Sequence, residues 1–383
     1  MDIPYEDELI QKERALRDTL GEYAPLLTQV LPAPAVNGYR NKMELAFGDD
    51  GPDRNLALGI RKRRSLYEVA DVGDCVLIHD DFKRIAAWVH AVFMFGAEQE
   101  AFFHRKRHTG TLRHLVLRRG HFTGEILVML SATSGLQTDM DAFIAGLREL
   151  PLSDEGRIVG ILLSTNDGVA DAVKSENTRL LWGRDYYVEK LCGLTFHVSA
   201  FSFFQTNSPG AEVLYGVVKD FAVGQERHPL AYDLYCGTGT IAQVVAPYFD
   251  TVLGVEIIAE AIEAAKANAA LNGIDNCEFI VQDMSAKADD GTLQSVNGEI
   301  PLIIVDPPRD GLHPKALAKV IALQPQRLIY VSCKPASLAR DIPHLAVAGL
   351  VPVRITGADL FPRTPHVEAV CEFVKLDTPT ATE

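Results

Sequence analysis

Long apolar segments and paired cysteines are both missing from this 383-residue chain. Every apolar run is interrupted well before the roughly 18 residues that a membrane-spanning helix needs, so we expect no membrane span. Six cysteines are present, none in a Cys-x-x-Cys pair, which favours a reducing compartment over a disulfide framework. The acidic N-terminus, Met1-Asp-Ile-Pro-Tyr-Glu-Asp-Glu8, lacks the features of a secretory signal. These absences predict a cytoplasmic protein.

Internal repeats and low-complexity segments are also missing. Hydrophobic residues make up 47% of the chain and charged residues 23%, so we expect it to be folded throughout. The chain is too long for one ordinary core, which predicts two domains.

Positive charge is scarce overall, because the formal net charge is −14. Residues 39–119 are an exception, with 15 Lys and Arg against 11 Asp and Glu. Basic residues cluster there in Arg61-Lys-Arg-Arg64, in His104-Arg-Lys-Arg-His108, and in Arg113 with Arg118-Arg119. Solvated turns explain any one cluster, but three in one region favour contact with RNA phosphates.

The spacing of apolar residues predicts an N-terminal helix from Ile3 to about Leu31, ended by Pro32 and Pro34. Residues 39–190 mostly alternate apolar and polar side chains, and one helix, Phe82 to Phe95, interrupts them. This pattern predicts a central antiparallel α+β domain.

Strand and helix patterns alternate from about Leu191 onward, which is typical of an α/β fold. A helix from Ala259 to Asn272 is expected to end at Gly273. The predicted organisation is an N-terminal helical segment (1–38), a central α+β RNA-binding domain (39–190) and a Rossmann-like α/β domain (191–383). The predicted strands of the last domain are Ala231–Tyr235, Thr251–Glu256, Glu278–Gln282, Leu302–Asp306, Arg327–Ser332, Val351–Thr356 and Val367–Lys375.

A glycine turn follows the first of these strands. Gly237-Thr-Gly239 lets backbone approach a ligand closely, and Thr240 begins a helix whose N–H groups are available. Glu256 and Asp283 close the next two strands, where carboxylates suit ribose hydroxyls and an adenine amino group. Because Gly237-x-Gly239-x-x-Ala242 also fits the dinucleotide fingerprint, a nicotinamide dehydrogenase is a rival hypothesis.

The fourth strand distinguishes the two hypotheses. Asp306-Pro-Pro308 is a stiff corner at a strand's carboxyl end, which can fix a planar base beside a methyl donor. The predicted cofactor is therefore S-adenosylmethionine rather than NAD. Arg309 stands where amino-methylating enzymes place an aromatic residue, so a pyrimidine C5, which needs covalent activation, is the better target.

Cys333 is predicted to be the nucleophile that adds to C6 of the base. It ends the fifth strand, and Lys334 is expected to lower the pKa of its thiol. Glu368, at the start of the last strand, is predicted to be the general base that removes the C5 proton. The alternatives are a core cysteine, an ordinary edge-strand glutamate, and His366 as the base.

The chain resembles the RNA (uracil-C5) methyltransferases, which form 5-methyluridine, over about Ile3 to Leu376. This resemblance implies a class I methyltransferase sheet, Cys333 as nucleophile and Glu368 as base. It also implies a cofactor pocket lined by Gln205, Tyr235, Thr240, Glu256, Asp283 and Asp306, with Asp306 touching the uracil. The matching motifs are Tyr39-Arg-Asn-Lys-Met-Glu44, Gly110-Thr-Leu-Arg-His114, Phe203-Phe-Gln-Thr-Asn207, Asp233-Leu-Tyr-Cys-Gly237, Asp306-Pro-Pro-Arg309, Tyr330-Val-Ser-Cys333 and Pro365-His-Val-Glu368.

The chain also departs from that family. Lys334 replaces the usual Asn, and no N-terminal OB-type domain is present. Cys75 resembles the fourth ligand of an iron–sulfur cluster found in many members, but the other three cysteines are missing. We therefore expect no metal, either because the cluster was lost or because the chain as given starts too far downstream.

The predicted protein is a monomeric methyltransferase that acts on a loop uridine in structured RNA. Ribosomal RNA is favoured over transfer RNA, because the N-terminal segment resembles the cluster-bearing branch. A catalytically inactive RNA-binding or RNA-folding factor is the alternative from another class.

Overall fold

The computed structural model describes residues 3–51, 54–95, 100–170, 173, 177–223, 227–286, 293 and 300–376. The helices are α1 (Tyr5–Leu20), α2 (Asp80–Phe95), α3 (Met140–Glu149), α4 (Ser208–Ala222), α5 (Thr240–Val245), α6 (Ala259–Leu271), α7 (Pro314–Ala322) and α8 (Pro335–Val347), with 3-10 turns at Gly21–Leu26 and Ala246–Tyr248. The strands are β1 (Leu27–Leu31), β2 (Lys42–Asp49), β3 (Leu56–Arg61), β4 (Val69–Ala70), β5 (Leu112–Arg119), β6 (Glu125–Ala132), β7 (Arg157–Thr165), β8 (Asn177–Gly183), β9 (Tyr186–Leu191), β10 (Leu194–Ser199), β11 (His228–Leu234), β12 (Phe249–Glu256), β13 (Cys277–Val281), β14 (Leu302–Val305), β15 (Arg327–Ser332), β16 (Leu350–Ala358) and β17 (Glu368–Lys375).

The chain divides into two compact units. Unit 1 comprises Met1–Val36, Leu191–Thr195 and Phe203–Glu383, and unit 2 comprises Asn37–Lys190 and Phe196–Ser202. The N-terminal segment, predicted to be separate, thus groups with the C-terminal half.

The predicted helix from Ile3 to Leu31 is wrong in its second half. The helix ends at Leu20 because Gly21 adopts a left-handed φ of 58°. Pro25 lies in the short 3-10 turn that follows. The last five residues form β1, which pairs in parallel with β16. Apolar spacing did not separate the two because a short apolar run fits either element.

Unit 1 is built on an eight-stranded sheet, counted over the described residues, in the order β1-β16-β17-β15-β14-β11-β12-β13. Strands β11 to β15 run parallel to one another, whereas β17 runs antiparallel to both β15 and β16. The predicted α/β class is confirmed. The chain leaves β11 for β12 on one side and reaches β14 on the other, so ligand binding is expected at the carboxyl ends of these central strands.

The central strands are buried because their sequences are continuously apolar, as in Leu302–Val305 of β14. One face of the sheet packs against apolar residues of α1, α7 and α8 in a single core. Helix α4 packs against β15, β16, β17 and α5. The strand ends are therefore held by packing on a rigid sheet.

Unit 2 holds a seven-stranded sheet, within the described residues, in the order β4-β3-β2-β5-β6-β7-β8. Its core joins Phe82, Ile85 and Val89 of α2 to the apolar side chains of the strands. The predicted helix Phe82–Phe95 is confirmed as α2. The antiparallel prediction is wrong for one pair, because β6 and β7 are parallel and the unpredicted helix α3 connects them.

The arginines of the third basic cluster are buried, contrary to the expectation of RNA contact. Arg113 donates to the carbonyl oxygens of Gly168 and Ala170, and its guanidinium lies 3.9 Å from the ring centroid of Phe103. Arg118 donates to the Ser202 carbonyl. Arg119 pairs with the buried Asp81 at 3.3 Å. These guanidinium groups hold loops of unit 2 together.

None of the described helices is long and apolar enough to cross a bilayer.

Candidate active site

Chemically active side chains line one edge of the unit 1 sheet. In spatial order they are Glu368 at the start of β17, Cys333 after β15, Asp306 after β14, the glycine turn after β11, Glu256 at the end of β12 and Asp283 after β13. Because β17 is antiparallel, its first residue reaches the edge where the parallel strands end. The predicted residues on these strands therefore share one edge of the sheet.

The glycine turn follows β11 in left-handed backbone. Tyr235, Gly237 and Gly239 have φ angles of 67°, 53° and 73°. A Cβ on Gly239 would lie 2.6 Å from the Phe279 ring, so the turn packs closely on β13. A Cβ on Gly237 would meet no described atom within 4 Å, which leaves open space beside the turn. The left-handed tyrosine is a strained residue of the kind that clusters at functional sites.

Glu256 is tied to this turn. Its Oε2 accepts a hydrogen bond from Gly237 N at 3.2 Å, and its Oε1 accepts from Ile257 N at 2.8 Å and Ile258 N at 3.0 Å. These bonds fix the carboxylate at the end of β12. Burial, then Asp283 and Glu256, raise the pKa of the Tyr235 phenol to about 12. The phenol is therefore a neutral donor between two carboxylates.

The rim beside these residues is apolar and exposed. Ile257 and Ile258 are 57% and 55% exposed, and Val281 is 53% exposed. Asp283 is also exposed, and its Oδ1 accepts from Ser285 N at 2.7 Å. Aliphatic side chains for an adenine ring, carboxylates for its amino group and ribose, and open space at Gly237 fit S-adenosylmethionine.

Two carboxyl groups lie on the central strands: Asp233, buried within β11, and Asp306, half-buried directly after β14. Burial raises the pKa of Asp306 to about 7. Burial also raises the pKa of Asp233 to about 8, with Asp306 and Glu256 adding to the shift, although Ala242 N donates to Asp233 Oδ2 at 2.9 Å. Both pKa values are raised towards neutral pH, and perturbed pKa values of this kind are common at functional sites.

Gln205 lies on the segment that leads into α4. Its side chain hydrogen-bonds the phenol of Tyr215, which is also close to Asp306. Burial and the charge of Asp306 raise the pKa of Tyr215, while the bond with Gln205 opposes the shift. Gln205 is thereby held near the Asp306 corner. Thr240, at the start of α5, is buried, with its Oγ1 3.5 Å from that of Thr238.

Cys333 and Glu368 meet through the pairing of β15 with β17. Ser332 is the Cα partner of Ala369 in this antiparallel pair, so Cys333, one residue later, stands opposite Glu368, one residue earlier. Glu368 is only 3% exposed, and Cys333 is partly exposed. A thiol open to a substrate therefore faces a carboxyl group shielded from water.

Both pKa values are raised. Burial, with a contribution from Asp306, raises the pKa of Glu368 to about 8. Burial, then Glu368 and Asp306, raise the pKa of the Cys333 thiol to about 11, while Arg309 opposes the shift. In the free protein the thiol is therefore protonated at neutral pH.

The expectation that Lys334 lowers the pKa of Cys333 is wrong. Its Nζ lies 3.8 Å from Asp310, and the cation that acts on the thiol is the exposed Arg309. Sequence adjacency misled here, because the residue after a strand end turns away with the following helix α8. His366, the rival base, is exposed, and burial, Arg309 and Lys12 lower its pKa.

Comparison with known proteins identifies the family. A family model described as tRNA (uracil-5-)-methyltransferase matches residues 166–375. A protein of Clostridium tetani described as an uncharacterized RNA methyltransferase is 38% identical over 381 residues, covering 98% of this chain and 81% of the relative. This chain belongs to the tRNA (uracil-5-)-methyltransferase family. A protein of Caldanaerobacter subterraneus, also described as an uncharacterized RNA methyltransferase, is 41% identical over 339 residues, with 88% and 73% coverage.

A solved structure extends the comparison to the fold. The tRNA (uracil-54, C5)-methyltransferase of Pyrococcus abyssi, in complex with S-adenosyl-L-homocysteine, matches with a TM-score of 0.77 at 29% identity. The match covers 97% of this chain and 84% of that one. The class I methyltransferase fold is thus confirmed, and the enzyme is an RNA methyltransferase that uses S-adenosylmethionine. The dehydrogenase hypothesis is wrong, since the glycine fingerprint alone does not distinguish the two cofactors.

Three side chains of this methyltransferase site were not predicted as site residues. Asp233 and Arg309 stood within quoted motifs, and an acid in the apolar strand Leu230–Leu234 was the available signal for the first. Tyr215 lies on α4, and no pattern near it indicated a site. The expectation of no metal was based on Cys75, the cysteine that resembles a cluster ligand. Cys75 is partly exposed in unit 2. The described residues hold no group of three or more His, Cys, Asp or Glu suited to a metal ion.

Proposed function

We propose that the enzyme methylates C5 of a uridine in structured RNA, with Cys333 as nucleophile and Glu368 as general base. The observation that carries this proposal is the pairing of Ser332 with Ala369, which sets thiol and carboxyl group opposite each other at the sheet edge. Asp306 adjoins them, because its charge contributes to the pKa of both groups.

The proposed reaction proceeds through a covalent adduct between Cys333 and the uracil. The Cys333 thiol loses its proton to water, and its sulfur bonds to C6 of the uracil, which makes C5 nucleophilic. When bound, S-adenosylmethionine would provide the methyl group that C5 takes up, with S-adenosylhomocysteine as the by-product. Glu368 then removes the C5 proton, the C5–C6 double bond forms again and the thiolate departs.

Burial suits Glu368 to this step. A carboxylate with a pKa of about 8 is a stronger base than a solvated one, and it is partly ionised near neutral pH. Asp306, with a pKa of about 7, can donate or accept a hydrogen bond at the uracil edge. The cofactor would be held by Gln205, Tyr235 and Gly237, and by Thr240, Glu256, Asp283 and Asp306.

The test separates the two residues by what each variant accumulates. RNA from a strain that lacks the gene is incubated with enzyme and radiolabelled S-adenosylmethionine, then run on a denaturing gel. Glu368→Gln should add the thiol and transfer the methyl group but not eliminate, so a methylated RNA–protein adduct builds up. General-base catalysis typically contributes about 10²–10⁴-fold, enough to make the adduct visible.

Cys333→Ala and the double variant should give neither adduct nor product. Normal turnover in Glu368→Gln would move the base role to His366 or to water. An adduct in Cys333→Ala would contradict the mechanism as a whole. Loss of all methylation in every preparation, with RNA binding intact, would favour the RNA-binding factor instead.

Two RNA classes are candidate substrates. The N-terminal resemblance to the cluster-bearing branch supports ribosomal RNA, the first proposal. The similarity to the Pyrococcus abyssi enzyme, which acts on uracil-54 of tRNA, supports transfer RNA as the second. Mapping 5-methyluridine in both RNA pools with and without the gene decides between them, since only the true substrate loses a modified site.

A further inference from the structure

Residues 359–367 form the loop that connects β16 to Glu368, and α1 holds this loop through buried charges. Lys12 of α1 directs its Nζ to Asp359 Oδ1 at 2.8 Å, to the Phe361 carbonyl oxygen at 3.0 Å and to Glu8 Oε1 at 2.9 Å. Lys12, Glu8 and Asp359 are 4%, 1% and 1% exposed. An N-terminal helix thus makes its most buried polar contacts with the segment that leads to the proposed base.

The same helix fixes the middle of the 359–367 loop. Arg363 N donates to Glu8 Oε1 at 2.7 Å, and Arg363 Nη1 donates to the Ile3 carbonyl oxygen at 2.7 Å. Arg363 has a left-handed φ of 65°, which costs free energy in a non-glycine residue. Glu8 therefore holds a strained backbone position five residues before Glu368.

Further bonds fix the first residues of the 359–367 loop. The Tyr5 hydroxyl donates to Asp359 Oδ2 at 3.0 Å, and Asp359 N donates to the Leu31 carbonyl oxygen at 3.0 Å. Asn207, which caps α4 two residues after Gln205, donates through Nδ2 to the Leu360 carbonyl oxygen at 2.8 Å. Residues 359–363 of the loop are thereby anchored, and Leu360 is tied to the segment that contains Gln205.

Packing alone does not account for this arrangement. Apolar residues of similar size would hold α1 on the sheet at least as well, since burying charged groups carries a large desolvation penalty. Hydrogen-bonded charges impose a defined geometry, which an apolar contact does not. The loop carries the exposed His366 and leads directly to Glu368, whose buried carboxyl group lies at the sheet edge.

We propose that Lys12 and Glu8 are positioning residues for Glu368, acting through the 359–367 loop on the elimination step. The proposal rests on the proposed roles of Cys333 and Glu368. A misplaced base slows removal of the C5 proton, whereas addition of the thiol to C6 does not use Glu368 as a base. A displacement of about 1 Å in a reacting group can cost on the order of 10²-fold in rate.

The experiment follows a single turnover of Lys12→Met with saturating S-adenosylmethionine and RNA from a strain that lacks the gene. Methyl transfer and decay of the covalent adduct are measured separately. Adduct decay should slow by about 10- to 100-fold, so that methylated adduct accumulates, whereas methyl transfer changes little. Arg17→Met is the matched control, because Arg17 pairs with Glu13 on the same helix at 2.7 Å and lies outside this network.

Glu8→Gln and Glu8→Leu provide a second pair. The amide of Gln keeps an acceptor for Arg363 N, so it should restore much of the elimination rate that Leu loses. This pair also serves if Lys12→Met is insoluble. An unchanged ratio of adduct to product in folded Lys12→Met, or equal behaviour of the two Glu8 variants, would overturn the proposal.

Glu368→Gln, run in parallel, separates this proposal from the mechanism beneath it. If Glu368→Gln accumulates adduct and Lys12→Met does not, only the positioning role fails. If Glu368→Gln accumulates none, the assignment of Glu368 fails and the positioning role with it.

Discussion

The carboxyl group of Glu368, the proposed general base, is buried at a cost in stability. Its carboxyl group is almost fully shielded from water at the end of a buried strand. Ionising a carboxyl group there is costly, so the folded protein retains a proton that the unfolded chain would release. Glu372, on the same strand, differs from Glu368 because Arg327 and Arg354 pair with it.

We predict that Glu368→Gln stabilises the free enzyme at alkaline pH. The pKa of Glu368 is about 8 in the fold and 4.5 for a solvated glutamate, so its contribution to the free energy of unfolding falls as pH rises from about 4.5 to about 8. At pH 9 the variant should gain on the order of 1–4 kcal/mol, and much less at pH 5. Urea unfolding across this pH range measures the effect.

Glu372→Gln is the control for that measurement. It should destabilise the protein at pH 9, where Glu368→Gln stabilises it, because two guanidinium groups lose their partner. A Glu368→Gln variant less stable than the parent at pH 9 would contradict the assignment of a costly buried charge.

The Cys333 thiol provides the second residue-level prediction. With a pKa of about 11, it should react slowly with iodoacetamide at pH 8–9, and several-fold faster in Glu368→Gln, because the repelling carboxylate is gone. Arg309→Ala should slow the reaction, while Lys334→Ala should leave it unchanged. Peptide mapping after alkylation isolates Cys333 from the other cysteines. Slower alkylation in Lys334→Ala than in Arg309→Ala would reverse the roles of these cations.

The turn between β11 and α5 contains two glycines that meet different structural requirements beside the proposed cofactor pocket. Gly239 lies in left-handed backbone directly against Phe279 of β13, whereas Gly237 faces open space. Gly239 therefore sets how closely the turn packs against β13, and Gly237 leaves room for a ligand. Their identical residue type hides two different physical requirements.

Gly239→Ala should destabilise the enzyme more than Gly237→Ala. Both changes impose left-handed strain of about 1–2 kcal/mol, but only Gly239→Ala adds overpacking, typically about 1–3 kcal/mol. Thermal unfolding without cofactor measures the difference. Equal losses in the two variants would mean that β13 moves aside freely.

Exposed basic side chains form a local positive surface on unit 2, although the protein as a whole is acidic. Lys62, Arg63, Arg64, Lys106 and Arg107 are exposed. Their two loops adjoin, because the ring centroids of Tyr67 and His104 stack at 4.3 Å. A local patch is sufficient for phosphate binding, whatever the net charge.

Neutralising either half of this surface should weaken RNA binding without changing chemistry at saturating RNA. Each lost phosphate contact should reduce the slope of log K against log salt by about 0.7–0.9. Filter binding at several salt concentrations measures both quantities. Neutralising Arg227, Lys266 and Lys315, which are exposed in unit 1, is the charge-matched control for the half with three basic residues. Neutralising only Arg227 and Lys266 is the control for the half with two. Unchanged affinity and slope in both halves would remove RNA from this surface.

Local patterns were sufficient for most elements of unit 1. The predicted strand Arg327–Ser332 coincides with β15, and Gly273 follows the end of α6 by two residues. Failures arose where a pattern fitted two structures or where the decisive contact was distant. The end of α1, the parallel β6–β7 pair and the buried Arg113 and Arg118 belong to these cases.

The sequence by itself determined the family, the α/β class and the residue types available at each strand end. Glycine turns, proline corners and apolar strands act within a few residues, so their signals are legible along the chain. Only the tertiary structure decided that Cys333 faces Glu368 and that Lys12 reaches Asp359. These contacts depend on strand register and helix packing between segments far apart in sequence. The raised pKa values follow from the burial that such packing creates.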